Sequence, residues 1–271
     1  MQIQTLALEF GQLVYYRTGP VGAPALLGLS GFGCNHYNYI DLLPELSKSF
    51  QIILIDNRGM GKSGKTKAEY SLKDVASDAL AVIDDCKIDK FGLMGISMGG
   101  FIAQELVALA PQRVSALALM CTLSSGPDFI HPVSITEEGL RQFNTLDVAM
   151  RAEFSTMATV HPELKEKFPE TYKRIVNLRI DNIPDLEETI RQNTAAVNFI
   201  NAPFDLSIVT CPTLAMAGAE DRFVNPENIK AFAKNIKKTQ TALIPESDHF
   251  FFLEKPVEVA ENLHRFFKEV L

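Results

Sequence analysis

The sequence of 271 residues has no tryptophan, only four cysteines and no excess of basic residues, and each shortage excludes a class of protein. Cys34, Cys86, Cys121 and Cys211 lack Cys-x-x-Cys spacing, which predicts reduced thiols and neither disulfides nor a zinc site. The formal net charge of −7 and the isoelectric point near 5.3 argue against a nucleic-acid partner. No run of ~18 apolar residues predicts a membrane span. The start of the sequence shows no signal-peptide pattern, so we expect a cytoplasmic protein. We expect it to be a monomer or a homodimer.

Short apolar runs alternate with helical patterns on either side of a charged, proline-containing middle segment. This alternation predicts an α/β fold with a mostly parallel central sheet of about eight strands and helices on both faces. The middle segment shows no pattern of a buried strand, so we expect a helical cap inserted after the sixth strand. The predicted division is a core in two parts, 1–123 and 206–271, with the cap at 124–205.

The predicted elements follow from apolar periodicity and from glycine or proline at their ends. We expect a hairpin with strands at 6–10 and 13–16, followed by strands at 25–29, 51–55, 114–120, 212–217 and 241–244. Helices are predicted at 39–48, 71–86, 101–110, 226–236 and 256–270, and Ser71 is the expected N-cap of the second.

Ser97 lies in Gly95-Ile96-Ser97-Met98-Gly99, between an apolar run that begins at Phe91 and the helix predicted at 101–110. A serine on a sharp strand-to-helix turn projects its hydroxyl away from the backbone, and flanking glycines let the turn close. The five-residue pattern also occurs by chance, but the strand before it and the helix after it favour a nucleophile elbow over a glycine-rich turn. Ser97 is therefore the predicted nucleophile.

A nucleophilic serine needs an adjacent base, and five histidines compete for that role. His249 follows the last predicted strand, at the edge where the carboxyl ends of parallel strands converge. His264 lies in the middle of the last helix, His131 and His161 lie in the predicted cap, and His36 precedes the first helix. These positions favour His249 as the base.

A carboxylate must orient that base, and three acidic residues are close enough in the sequence. Asp221 follows the strand that ends at Ala217, again at a carboxyl end. Glu220 and Asp248 are local rivals, although Asp248 is the chain neighbour of the histidine and neighbours seldom face each other. Asp221 is therefore the predicted acid.

Two backbone N–H groups are predicted to bind the oxyanion that forms during attack. One is that of Met98, and the other is that of Phe32 in the glycine-rich segment Ser30-Gly31-Phe32-Gly33-Cys34. Gly31 would let the backbone approach the substrate, unless this segment is only a flexible turn.

Several side chains are candidates for substrate contact. Phe250 begins an aromatic run that could line a pocket or pack beneath the last helix. Phe143 could face the substrate or belong to the packing of the cap, as could Met150, Phe154, Met157 and Phe168. Arg141 and Arg151 could bind a substrate carboxylate, but a solvent-exposed helix face is the more usual place for such residues.

Together these residues resemble the α/β-hydrolase family, in particular its lid-bearing serine esterases. The resemblance covers nearly the whole chain and includes the segments Asp56–Ser63, Gly95–Gly99, Gly218–Asp221 and Asp248–His249. It implies a triad of Ser97, Asp221 and His249, with the amides of Phe32 and Met98 at the oxyanion, and neither a metal ion nor a cofactor. The sequence departs from the family at Ser30-Gly31, where His-Gly is usual. A serine at position 97 excludes the epoxide and dehalogenase chemistry of relatives that carry aspartate there.

The resemblance implies a carboxylesterase-like serine hydrolase that cleaves small esters or thioesters through an acyl-enzyme intermediate. Two alternatives stay open: a lactonase or C–C bond hydrolase, and a ligand-sensing or stress-signalling protein with slow turnover. A glycine pattern at 59–64 matches the dinucleotide-binding fingerprint. No predicted helix begins there, however, so we do not expect a nucleotide.

Overall fold

An eight-stranded sheet organises the computed structural model, which describes residues 1–271. The strands run in the spatial order β1-β2-β4-β3-β5-β6-β7-β8. β1 pairs with β2 and β2 with β4 in antiparallel fashion, and every other pair is parallel, which confirms the predicted α/β fold class. The strands are β1 Gln2–Leu8, β2 Gly11–Thr18, β3 Ala25–Leu29, β4 Gln51–Asp56, β5 Phe91–Ile96, β6 Val114–Met120, β7 Thr213–Gly218 and β8 Thr239–Ile244.

Eleven α-helices surround the sheet, and none has both the length and the apolar character needed to cross a bilayer. β3, β4 and β5 are buried along their whole length because helices cover both faces of the sheet. The helices are α1 Leu43–Leu46, α2 Leu72–Asp85, α3 Met98–Leu109, α4 Glu137–Asn144, α5 Val148–Met157, α6 Leu164–Lys167, α7 Pro169–Asp181, α8 Leu186–Asn201, α9 Asn228–Asn235, α10 Phe251–Glu254 and α11 Pro256–Val270. Apolar side chains of α2, α3 and α9 pack on one face, and those of α1 and α11 on the other.

Local signals explain where some helices begin. Ser71 caps α2 by accepting from the Asp74 N–H, while the Asp74 carboxylate accepts from the Ser71 N–H, as the sequence predicts for a helix start. The helix predicted at 39–48 is confirmed only at Leu43–Leu46. The chain there forms a 3₁₀ turn at His36–Tyr39 and then the four-residue α1, because Pro44 has no N–H to continue a helix and fits only in a first turn.

The segment between β6 and β7 contains five helices, α4 to α8, and no strand. We call them the inserted helices. They confirm a helical insertion after the sixth strand, and side chains from α4, α5 and α7 lie opposite the loops that follow β3 and β8. The domain boundaries at 124 and 205 stay predictions.

Candidate active site

Ser97 lies in the turn between β5 and α3, with backbone angles of φ 53° and ψ −120°. Positive φ is costly for any residue with a Cβ, so close packing must hold the turn in place. Gly95 and Gly99 permit that packing. A Cβ on Gly99 would lie 2.1 Å from the Leu29 carbonyl oxygen, and one on Gly95 would lie 2.5 Å from the Gly99 carbonyl oxygen. The glycines thus let α3 approach β3 closely enough to fix the serine.

The structure brings Ser97, His249 and Asp221 together in one hydrogen-bonded chain. The Nε2 atom of His249 lies 3.1 Å from Ser97 Oγ, and its Nδ1 atom lies 2.9 Å from Asp221 Oδ2. His249 and Asp221 are both buried, which shields these polar contacts from water. The arrangement has the form of a nucleophile, a base and an orienting carboxylate.

The loop after β7 fixes the orientation of the Asp221 carboxylate. Its Oδ1 atom accepts hydrogen bonds from the N–H groups of Phe223 at 2.9 Å and Val224 at 2.7 Å. Its Oδ2 atom is therefore left for the imidazole of His249.

The two rival carboxylates are occupied elsewhere. Asp248 is fully buried, and its Oδ1 atom accepts from the N–H groups of Arg222 and His249 while its Oδ2 atom lies 2.5 Å from Arg222 Nε. Glu220 bonds the Nε2 atom of His161 at 2.6 Å. Neither rival bonds the His249 ring, whereas Asp221, the acid that the sequence predicts, does.

The glycine-rich loop after β3 crosses close to Ser97. A Cβ on Gly31 would lie 3.3 Å from Ser97 Cβ, a tight contact that glycine avoids. The Gly31 N–H donates to Asn38 Oδ1, and the buried Ser30 hydroxyl donates to the Asn35 carbonyl oxygen at 2.7 Å. Ser30 therefore braces the loop from within. No sequence pattern indicates this contact of Asn38.

Two backbone N–H groups beside Ser97 remain free. Neither Phe32 nor Met98 donates a hydrogen bond within the protein. Met98 is the first residue of α3, where N–H groups have no partner within the helix. Both amides are therefore without an internal acceptor, as the predicted oxyanion contacts require.

Ser97 opens onto two cavities. The apolar cavity, of about 230 Å³, is lined by Met98, Phe101 and Ile200 among others. The imidazole cavity, of about 290 Å³, is lined by His249 together with the three predicted contact residues Gly31, Phe143 and Phe250. A third cavity, of about 160 Å³, also has Phe32 in its lining but does not include Ser97.

The other candidate contact residues differ in exposure and in whether they line a cavity. The side chains of Met150, Phe154, Met157 and Phe168 are about half exposed, and none of them lines a cavity that contains Ser97. Arg141 is exposed and pairs with Glu137 and Glu187, as expected for a solvated helix face. Arg151 differs from that expectation, because it is half-buried and lines the third cavity.

Sequence reasoning missed Cys121, which follows β6 directly and is buried beside the imidazole. The nearest ligand atoms of Cys121, Asp221 and His249 all lie within 4.8 Å of one another, a spacing that a metal ion could use. Burial raises the pKa of the Cys121 thiol well above its ordinary value, which keeps it protonated. Both imidazole nitrogens already face Ser97 and Asp221. We therefore interpret this cluster as packing around the hydrogen-bonded chain.

Two further residues connect the His249 loop to the inserted helices. Glu254 is buried, and its carboxylate accepts from the N–H groups of Asp248 at 3.0 Å and His161 at 2.9 Å. Burial raises the pKa of Glu254 to about 7. Arg222, which holds Asp248, also donates to the carbonyl oxygens of Met157 and Val160.

Comparisons with known proteins agree with this fold. The family described as the alpha/beta hydrolase fold matches residues 24–256. A proline iminopeptidase, PfmaB, of Pestalotiopsis fici is 25% identical over 93% of this chain and 95% of its own. A pimeloyl-[acyl-carrier protein] methyl ester esterase of Aliivibrio salmonicida is 26% identical over the same shares of the two chains. A thermophilic esterase from Thermogutta terrifontis, solved with malate bound, superposes with a TM-score of 0.80 at 23% identity over 100% of this chain and 99% of that one.

These relatives are hydrolases of different bond types at low identity, so they share a fold and a broad class of chemistry more than a substrate. The family match covers most of the sheet and all of the inserted helices. This protein belongs to the family of the alpha/beta hydrolase fold.

Proposed function

We propose that this protein is a serine hydrolase that cleaves small carboxylic esters or thioesters. The observation that carries the proposal is the buried His249, which bonds Ser97 Oγ through one nitrogen and Asp221 through the other. A serine hydroxyl becomes a nucleophile at neutral pH when such a base takes its proton.

The proposed reaction has two halves. Ser97 Oγ attacks the carbonyl carbon while His249 Nε2 takes the hydroxyl proton, and the N–H groups of Phe32 and Met98 stabilise the resulting oxyanion. The tetrahedral intermediate collapses to an acyl-serine, and His249 gives the proton to the departing alcohol or thiol. Water then attacks the acyl-serine with His249 as base, which releases the acid and restores Ser97. Asp221 orients the imidazole and stabilises its protonated form.

The cavities support small substrates. Ser97 lies where the apolar cavity and the imidazole cavity meet, so the two sides of the scissile bond can occupy different spaces. Neither space exceeds about 290 Å³, which favours short groups on both sides. The mostly apolar lining of the first cavity suits a hydrocarbon group.

Hydrolysis of p-nitrophenyl esters from acetate to laurate tests the proposal. We expect turnover that falls as the acyl chain lengthens beyond the cavity volume. Ser97→Ala, folded as judged by circular dichroism, should lose on the order of 10⁶ in kcat, as in other serine hydrolases. A variant that retains activity within tenfold of the wild type would show that Ser97 is not the nucleophile.

Labelling with a fluorophosphonate probe separates a slow site from an absent one. Labelling of Ser97 without ester turnover would indicate a competent serine in a protein that senses ligands or prefers lactones. No labelling, together with no turnover, would contradict the proposed chemistry altogether.

A further inference from the structure

Two arginines of the inserted helices have no acidic partner, although both are half-buried. Six other arginines pair with a carboxylate, including Arg141 and Arg174 of the same helices. Arg151 of α5 donates only to Asn144 Oδ1, and Arg179 of α7 donates only to Thr159 Oγ1. The Nε atoms of Arg151 and Arg179 are buried without an acceptor.

These two guanidinium groups lack acceptors for most of their hydrogens. A guanidinium carries five N–H donors and a charge that it keeps at any physiological pH. Removing such a group from water costs free energy unless a counter-charge and hydrogen-bond acceptors replace the lost hydration. Each guanidinium has one hydrogen-bond acceptor within the protein, so its remaining N–H groups are available to water or to a bound anion.

Both arginines line the third cavity, of about 160 Å³, which we call the arginine cavity. The cavity has no acidic side chain in its lining, and its other polar groups include the amides of Asn144 and Asn182. The charged side chains in its lining are therefore both positive, and apolar side chains make up much of the remaining wall. Such a space fits a small anion that can accept several hydrogen bonds.

Arg179 connects the arginine cavity to the candidate active site, because it also lines the imidazole cavity with Ser97 and His249. The Cζ atom of Arg179 lies 4.2 Å from the centroid of the Phe250 ring, and that centroid lies 6.2 Å from the centroid of the His249 ring. The guanidinium and the imidazole thus contact the same aromatic side chain. A single small molecule can reach both.

We propose that Arg179 and Arg151 form a carboxylate-binding subsite, and that the substrates are small esters that carry a free carboxylate a few bonds from the scissile bond. The assignment of esters rests on the proposed function. The planar fork of an arginine matches the two oxygens of a carboxylate, which gives a directional contact as well as charge attraction. The substrate carboxylate would supply the counter-charge that the two guanidinium groups lack.

The direct test compares half-esters with neutral diesters at neutral pH, where the half-ester carries a carboxylate. For the wild type, kcat/KM for monoethyl succinate or monoethyl glutarate should exceed that for the diethyl ester. Arg179→Gln should lower the ratio of half-ester to diester by roughly 10–100-fold, mostly through KM, because a charge-assisted contact is lost. Arg151→Gln should lower the ratio less, since Arg151 lines neither of the two cavities that contain Ser97.

Arg174→Gln is the matched control, because Arg174 lies on the same helix and loses the same charge. Its guanidinium is exposed and pairs with Asp41, away from the cavities, so the ratio should stay unchanged. Arg179→Lys keeps the charge without the fork and should restore part of the ratio. Thermal unfolding of each variant identifies any that fail to fold. If Arg179→Gln fails to fold, Arg179→Lys still tests the proposal.

A binding measurement separates this proposal from the proposed function. Calorimetry on Ser97→Ala should show binding of glutarate, no binding of its dimethyl ester at the same concentration, and loss of glutarate binding when Arg179→Gln is added. Ester turnover with an unchanged ratio of half-ester to diester kcat/KM in Arg179→Gln would overturn the subsite. The proposed hydrolase function would still stand. Arg179-dependent glutarate binding without any ester turnover would support the subsite and overturn the proposed hydrolase function. A wild type that prefers the diester would also overturn the subsite.

Discussion

The sheet and the inserted helices meet at Ser97, but they contribute different kinds of structure. On the sheet side, Ser97, His249 and Asp221 are held by close backbone approaches and by main-chain N–H groups. On the other side, no inserted helix donates to or accepts from Ser97 Oγ or the His249 ring, and these helices supply cavity walls and two arginines instead. The difference assigns the proposed chemistry to the sheet and the choice of substrate to the helices.

The strongest test of this division is Asp221→Asn. The asparagine would still accept hydrogen bonds from the loop after β7 but would no longer offer a carboxylate to His249. We expect kcat for a p-nitrophenyl ester to fall by a factor on the order of 10⁴ with little change in stability. Steady-state kinetics and urea unfolding measure the two quantities.

Asp248→Asn is the matched comparison, since Asp248 is equally buried one loop away. It should lower kcat by less than about tenfold and cost about 2 kcal/mol of stability, because its partner is the Arg222 guanidinium. A larger loss of kcat in Asp248→Asn than in Asp221→Asn would show that Asp221 does not orient the base.

Two glycine replacements compare how well the sheet side and the inserted helices tolerate an added Cβ. Gly99→Ala would place a Cβ 2.1 Å from the Leu29 carbonyl oxygen, and neither backbone can move aside, so we expect a loss of at least about 2 kcal/mol in the free energy of unfolding. Gly139→Ala in α4 meets only the Thr136 hydroxyl at 3.2 Å and adds helix propensity, so its effect should stay within about 1 kcal/mol. Urea unfolding measures the loss of unfolding free energy in each variant. Equal losses would show that the two regions do not differ in this respect.

A pH-dependent prediction concerns Glu254, whose carboxylate bonds both regions. Its pKa in the folded protein, about 7, lies above the ordinary value of 4.5, so folding favours its protonated form. Its contribution to stability is therefore fully present below about pH 4.5 and is lost as the pH rises through 7.

Between pH 5 and pH 8 the wild type should lose on the order of 2 kcal/mol relative to Glu254→Gln, whose amide does not titrate. Urea unfolding of both proteins across that range provides the measurement. A difference in free energy that stays constant with pH would show that Glu254 has no raised pKa.

Sequence patterns were sufficient where a function depends on local backbone geometry. The run from Phe91 to Gly99 predicted the turn at Ser97, and strand ends predicted the loops that carry Asp221 and His249, which the structure brings into contact. The capping pair Ser71 and Asp74 gave the start of α2 in the same way.

Patterns failed where the outcome depends on contacts between distant segments. Arg151 and Arg141 look alike in the sequence, yet one lines a cavity and the other pairs with Glu137 and Glu187. Nothing near Arg179 or Glu254 in the sequence shows that each is covered by another part of the fold. The sequence favoured Asp221 over Asp248 but did not show that Arg222 occupies Asp248.

The contacts made by Arg222 determine which part of the inserted helices can move. Its guanidinium holds the turn after α5 through the Met157 and Val160 carbonyl oxygens, and Gln192 of α8 accepts from the Gly33 N–H on the other side. α4 has no hydrogen bond or ion pair to the sheet or its loops. An outward swing of α4 would therefore break no polar contact with the sheet, and it would displace Leu140 and Phe143 from the imidazole cavity. The polar contacts that oppose such a swing lie among the inserted helices, between Arg141 and Glu187 and between Arg151 and Asn144.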